Sequence, residues 1–288
     1  MSANVYFSSK ITPEQVLSMY RTVGGNLTGR VAIKVHSGEP GNQNFLKPEL
    51  WRPVINEVGG TVVECNTAYD GERNTTERHV KVLKKHGWSE VFKTELLDAE
   101  GPDVVLDIPS GAVIKKNYVG KGIADYDSAL VLSHFKGHPM GGFGGALKQL
   151  SIGFASSFGK AYIHGAGVPE EIWTADHDSF LRSMADAASS IVDYFDGRID
   201  IICGTHTHVQ TADDRILPGG SAFITDLGMC GVLDSSLGVK YEPVMQKLRT
   251  GMPQRFELAT GNITMNSAVF VYNEQKNAVE LVKRVNFS

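Results

Sequence analysis

The sequence predicts an α/β protein with a layered mixed sheet covered by helices and a strand-rich C-terminal part. Short apolar runs, such as Val31 to Val35 and Val104 to Ile108, have the length and composition of buried strands. Segments with helical spacing and recognisable caps alternate with them through the first two-thirds of the chain. After Cys203 the alternation gives way to several runs of strand character around a single short helix.

Taken in order, Thr12-Pro13-Glu14-Gln15 opens a helix. Thr12 is the cap, Pro13 suits the first turn and Gln15 completes a capping box. Val31 to Val35 is a strand. Pro48 to Glu57 is a helix with Pro53 in its first turns. Gly59-Gly60 breaks the chain before the strand Thr61 to Cys65. A polar loop then leads to a helix from Thr75 to His86, which Gly87 ends in a left-handed conformation. Val104 to Ile108, Ala129 to Ser133 and Lys160 to His164 read as further strands. Ala175 to Phe195 is the longest helix, with Phe180, Met184, Ala187, Ile191 and Phe195 on one stripe and Thr174 or Asp176 as its cap. Asp200 to Cys203, Ser221 to Thr225, Gln254 to Ala259, Asn266 to Tyr272 and Ala278 to Val285 read as strands, and Glu242 to Arg249 as a helix. The last two strands form a hairpin turning near Glu274 to Asn277.

Composition excludes several classes. With 42% hydrophobic and 21% charged residues over 288 positions, the chain can build a core and is not of disordered type. A net charge of -4 gives no surface for coating extended nucleic acid or an acidic membrane, although a single nucleotide or a small phosphate compound needs only a local site. Cys65, Cys203 and Cys230 are far apart, so neither a disulfide framework nor an Fe–S cluster is expected. The polar start and the lack of a long apolar run make a cytoplasmic protein the expectation.

Two stretches carry chemistry. Gly204-Thr205-His206-Thr207-His208 follows a strand, and in extended backbone His206 and His208 project to one side. Imidazoles so placed bind manganese, iron or zinc, and a pair of hydrogen-bonded surface histidines is the plain alternative. The run Gly204 to Gly220, continuing through Ala222 to Met229 and Gly251 to Phe256, resembles the C-terminal part of YmdB-type calcineurin-like metallophosphoesterases over residues 199–288. That resemblance implies a two-metal phosphodiesterase acting on cyclic nucleotides, with His206 and His208 as metal ligands. It carries no ligand role to Asp213 or Asp226. The family's remaining ligands come from its own N-terminal half, and this chain has no Asn-His and no Glu-Asn dipeptide. Its first strand offers Lys34 and His36 where an Asp is wanted.

The second stretch follows the strand Ala129 to Ser133. His134, Lys136 and His138 come first, then the glycine-rich run Gly141 to Gly145 and Lys148. Ligands of open α/β sheets sit beyond the carboxyl ends of strands, so Lys136, Gly142, Gly144, Gly145 and Lys148 form a candidate anion site. A simple tight loop is the alternative. His134 and His138 are weaker metal candidates, and Glu39, Asp70, Glu72 and His164 are further residues for a polar cleft. Together with Val35 to Asn42, Arg73 to His79 and Ser151 to Ser156, these runs make residues 1–198 resemble domain-of-unknown-function family 362, the uncharacterised Fe–S centre proteins. The cysteine clusters of that family are missing, so its cluster is not expected here. The chain thus reads as a fusion or chimera of two families joined near Ile199 and sharing one sheet. Three functions stay open: a metal-dependent phosphodiesterase, a non-catalytic metal- or anion-binding module, or a composite without either parental activity.

Overall fold

The computed structural model describes residues 12–23, 27–43, 45–133, 136–138, 142–197, 201–203, 209–236, 238–273, 276 and 278–287. The chain divides into two compact units between Ile199 and Asp200.

The first unit is built on a parallel sheet of β1 (Val31–Lys34), β2 (Thr61–Glu64), β3 (Thr94–Leu96) and β6 (Ser128–Val131), in the order β3-β2-β1-β6. From β1 the chain steps outward to β2 and β3, then crosses to β6 on the other side of β1. Strand order therefore reverses at β1, the position at which open α/β sheets bind ligands. Alternation along the strands sorts the side chains onto two faces. Val31, Ile33, Val35, Val62 and Leu96 pack with Ile55, Leu83 and Trp88 from the helices α2 (Pro48–Val58), α3 (Thr76–Lys85) and α4 (Trp88–Val91). Ala32, Val63 and Cys65 face the other way, against Phe154, Ile191 and Phe195 from α5 (Ala146–Phe154) and α7 (His177–Phe195).

Local chemistry explains most boundaries. At α1 (Pro13–Val23) the Thr12 hydroxyl accepts from the Gln15 amide at 3.3 Å, as the capping pattern predicts. Gly59 ends α2 with φ 70°, and Gly87 takes φ 82° just beyond α3. Asp176 caps α7 by accepting from the Ser179 amide at 2.9 Å.

One expected strand is a helix. Lys160 to His164 belongs to α6 (Ser157–His164), because the Ser156 hydroxyl accepts from the Gly159 amide and starts a turn there. Helix α6 also lies close on β5 (Lys116–Val119), which pairs antiparallel with β4 (Val104–Asp107). A Cβ added at Gly159 would stand 2.0 Å from the Tyr118 carbonyl oxygen. Inside α7, Asp186 receives the amides of Ala112, Val113 and Ile114 at 2.7–3.0 Å and fixes the turn before β5. A small hairpin joins β7 (Lys136–His138) to β8 (Gly142–Gly144), pairing Lys136 with Gly144.

The second unit contains two three-stranded sheets. β9 (Ile201–Cys203) runs parallel to β11 (Ala222–Ile224), and β10 (Arg215–Ile216) pairs with β11 antiparallel. β12 (Cys230–Val232) borders the long hairpin of β13 (Ile263–Asn273) and β14 (Ala278–Phe287), and α8 (Tyr241–Thr250) lies between β12 and β13 in sequence. The run Gln254 to Ala259 is not a strand, as Leu258 makes only a single bridge to Val239. The expected common sheet is not among the sheets of the described residues. Among the described residues, β1 to β8 and β9 to β14 pair only within their own sets. No helix of the described residues is long and apolar enough to cross a membrane.

Candidate functional site

The carboxyl ends of β1 and β2 carry charge into a place that alternation makes apolar. Lys34 follows Ala32 on the face toward α5 and is 1% exposed, and Glu64, at 5%, ends the neighbouring strand. The Lys34 ammonium donates to Glu64 Oε2 at 2.7 Å and to the Val35 carbonyl at 2.7 Å. Glu64 Oε1 accepts the Ser37 amide at 2.8 Å and lies 3.6 Å from Arg73 Nη1. Burial alone would raise the Glu64 carboxyl, but the Lys34 ammonium and the Arg73 guanidinium hold it well below the ordinary carboxylate range.

Arg73 reaches this point from the loop after β2. Its backbone carbonyl accepts the Thr67 amide at 2.8 Å, and its guanidinium is paired with Glu39. Burial opposes the charge of Arg73, but Glu64 and Glu39 outweigh that and raise its pKa. The Tyr69 hydroxyl donates to Glu39 at 3.4 Å. Asp98 accepts the amides of Asn66 and Ser157, and so ties the end of β2 to the start of α6.

Two helices close the far wall. From α5 come Lys148, Gln149, Ile152 and Gly153, and from α6 come Lys160 and His164. Gly153 admits the lysine, as a Cβ there would lie 3.2 Å from Lys34 Cε. Lys160 is buried and donates to the Ala155 carbonyl at 2.6 Å. His164 is stacked on Phe180 and donates from Nδ1 to the Lys160 carbonyl at 2.7 Å. The Gln149 side-chain amide nitrogen is buried beside the cavity without a hydrogen-bond partner. Between these walls lies a polar cavity of about 150 Å³. Four basic side chains, Lys34, Arg73, Lys148 and Lys160, face it against two carboxylates, Glu39 and Glu64. The arrangement can hold a small anion, with Gln149 adding a hydrogen-bond donor.

The sequence-derived candidates fall into several places. Glu39, Lys148 and His164 line the cavity. Asp70 and Glu72 are exposed, and Asp70 caps a turn by accepting from the Gly71 amide and the Asn74 side chain. Gly142 and Gly144 are in strand β8 rather than in an anion-cradling loop, because their backbone pairs with Lys136–His138. Gly145 is the buried N-terminal cap of α5. Lys136 and His138 are on β7. His134, His206 and His208 lie outside the described residues.

Among the described residues, no group of three or more His, Cys, Asp or Glu side chains is placed to hold a metal ion. Asp213 and Asp226, after the histidine motif, are occupied by backbone and hydroxyl groups, and Asp214 by Arg284. Asp213 accepts from the Thr211 hydroxyl at 2.6 Å and the Thr225 amide at 3.1 Å, and also pairs with the Thr225 hydroxyl. Partial burial would raise its carboxyl, but these donors hold it below the ordinary range. Asp226, 1% exposed, accepts the Gly228 amide at 2.7 Å. Asp213 and Asp226 are thus held by donors of the chain itself.

Sequence reading missed Lys34, Glu64, Arg73, Gln149 and Lys160 as site residues. One signal was present: two adjacent apolar strand runs, Val31-Ala32-Ile33 and Val62-Val63, each end in a charge, and the two charges are opposite.

Comparison with known proteins assigns family models to both parts. The model described as Domain of unknown function (DUF362) matches residues 31–228, and the one described as YmdB-like protein matches 184–285. Over 92 residues the chain is 44% identical to a 2',3'-cyclic-nucleotide 2'-phosphodiesterase of Bacillus subtilis, covering 32% of this chain and 35% of the relative. It is 43% identical over 77 residues to a putative phosphatase/phosphodiesterase of Mycoplasma pneumoniae, covering 26% and 27%. The crystal structure of a phosphatase from Mycoplasma pneumoniae matches 34% of this chain and 36% of its own, at 34% identity and TM-score 0.33. The chain spans about a third of the length of these relatives.

Proposed function

The chain belongs to the family described as Domain of unknown function (DUF362), and from that premise we propose that it binds a small phosphate-bearing anion in the cavity beyond β1 and β2. One observation carries the reading: Lys34, Arg73, Lys148 and Lys160 face two carboxylates, Glu39 and Glu64, in a partly open cavity, so basic groups outnumber acidic ones. A phosphate monoester, at about -1.5 to -2 near neutral pH, offsets that excess and gives the Gln149 amide an acceptor. The test is calorimetric titration of the full chain with inorganic phosphate and with a simple phosphate monoester. Saturable binding is expected, weakened about tenfold, or about 1.4 kcal/mol, in Lys148→Gln. Absence of binding at millimolar phosphate would overturn the reading.

A second reading rests on the 44% identity to a cyclic-nucleotide phosphodiesterase. In it the C-terminal part is a metal-dependent phosphodiesterase, with His206 and His208 among the ligands of a divalent ion. Such an ion polarises a phosphoryl oxygen and lowers the pKa of water. Elemental analysis of the chain beside a His206→Ala, His208→Ala double variant tests it, together with hydrolysis of 2',3'-cyclic nucleotides. Bound metal and turnover that both vanish in the variant would establish it, and a metal-free, inactive chain after reconstitution would remove it. The two family matches overlap over 184–228, which supports a composite origin of the chain.

A further inference from the structure

We propose that the Lys160 amine forms a Schiff base with a small aldehyde or ketone that also carries a carboxylate or phosphate. This inference rests on the anion-binding reading and names the class of molecule that the cavity takes.

Lys160 differs from Lys34 and Arg73, which face the same cavity. Lys34 is paired with Glu64, and Arg73 with both Glu64 and Glu39. Among the described residues, no carboxylate lies within ion-pair distance of Lys160, whose Nζ donates to the Ala155 carbonyl at 2.6 Å. It is 7% exposed, and its neighbours include the apolar Phe154 turn and the Cys65 thiol. A desolvated lysine close to another cation is the usual form of an amine nucleophile, because both conditions favour the uncharged state. Burial holds the Lys160 pKa below the ordinary lysine range, with the Lys34 charge adding to it, although the nearby Cys65, Asp98 and Glu64 pull the other way. Cys65 does not compete, since burial pushes its thiol up to about 12 and keeps it protonated.

The anion holders supply the second half of the site. Arg73 and Lys148 line the same cavity and can fix the carboxylate or phosphate of a carbonyl compound, presenting its carbonyl carbon to Nζ. His164 lines it as well. Its Nδ1 proton is given to the Lys160 carbonyl, so neutral His164 has its acceptor at Nε2, and burial lowers its pKa and favours that neutral form. In the step itself the amine lone pair attacks the carbonyl carbon, forming a C–N bond while the C=O π pair moves to oxygen. The oxygen leaves as water with one amine hydrogen and one proton taken from solvent. The product is a protonated imine, and no electron acceptor or donor is required.

The test is reductive trapping on the full chain at pH 7. The protein is incubated with pyruvate, or in a second arm with dihydroxyacetone phosphate, then reduced with borohydride and mapped by peptide mass. One adduct per chain on Lys160 is expected, slowed at least tenfold by inorganic phosphate and absent in Lys160→Arg. Adducts confined to exposed lysines such as Lys81 and Lys276, with Lys160 unmodified in both arms, would overturn the inference. Calorimetry with phosphate separates the two levels. Phosphate binding without a Lys160 adduct removes the Schiff base and leaves the anion site, whereas neither binding nor an adduct removes both. The wild-type map carries the result even where Lys160→Arg fails to fold.

Discussion

Replacing Glu64 by Gln tests the arrangement at the ends of β1 and β2 most directly. The carboxylate receives the Lys34 ammonium at 2.7 Å and the Ser37 amide at 2.8 Å, with Arg73 at 3.6 Å. Glutamine keeps the shape but removes the charge and turns one oxygen into a donor. Lys34, 1% exposed, then has the Val35 carbonyl and a neutral amide beside it but no counter-charge. Removing one partner of a buried ion pair costs about 3–5 kcal/mol, because the other charge stays desolvated. For a unit of this size that lowers the midpoint of thermal unfolding by roughly 6–20 °C. The three tryptophans, Trp51, Trp88 and Trp173, all belong to the first unit, so fluorescence reports its melting selectively. Trp88 is a close reporter, since its indole donates to the carbonyl of Ser37, whose amide Glu64 holds. Adding Lys34→Met removes the stranded charge and should recover at least half of the loss. A fall below about 2 °C in the single variant, or a double variant no more stable than the single, would refute the assignment of the pair as the organiser of the site.

The other predictions concern the frame around the cavity. His79 is fully buried, bonds Asn66 through Nδ1 and is pushed by burial from 6.5 down to about 4. Its folded pKa lies below its unfolded one, so its contribution is intact above pH 6.5 and is lost as pH falls toward 4. Urea titrations should show about 3 kcal/mol of acid destabilisation in that window, at about 1.36 kcal/mol per pH unit, and His79→Gln should flatten it. A wild-type profile flat between pH 6.5 and 4 would contradict this. Asp186→Ala strands three backbone amides, those of Ala112, Val113 and Ile114, and should lower stability by about 3 kcal/mol in urea unfolding, while Asp186→Asn loses less. Gly159→Ala drives a Cβ to 2.0 Å from the Tyr118 carbonyl. It should cost more than about 2 kcal/mol despite the better helix propensity of alanine, and weaken phosphate binding by displacing Lys160 and His164; a neutral or stabilised variant would refute that packing.

Much of the first unit was legible because local and long-range signals agree there. β1, β2, α2, α3 and α7 end within a residue or two of their expected limits, where Gly59, Gly87 and Asp176 punctuate the apolar pattern. Lys160 to His164 failed because three apolar residues, Ala161 to Ile163, do not separate helix from strand, and the Ser156 cap that decides it stands just before. Gln254 to Ala259 failed for a related reason, since it finds no ladder to join beyond the Leu258 bridge. Glu39, Lys148 and His164 were each visible as polar residues near strand or helix ends. Their meeting with Lys34 and Glu64 was not, because it depends on α5 and α6 folding over the ends of strands that are some eighty or more residues away in sequence. A lysine in Val-Ala-Ile-Lys reads as the outer end of a strand, and only its partner in the neighbouring strand shows that it stays inside.

The position of α7 also bears on how the protein is made. The last strand of the parallel sheet ends at Val131, but one face of that sheet needs Ile191 and Phe195 of α7 to be covered. At about 5–20 residues per second, a growing chain takes roughly 3 to 13 s to pass from one point to the other. For that interval the nascent sheet shows Ala32, Val63 and Cys65 without their full cover. Synthesis therefore creates a period of seconds in which the unfinished protein is a client for holding factors and prone to sticking to its neighbours, and that period closes when the turns carrying Ile191 and Phe195 emerge.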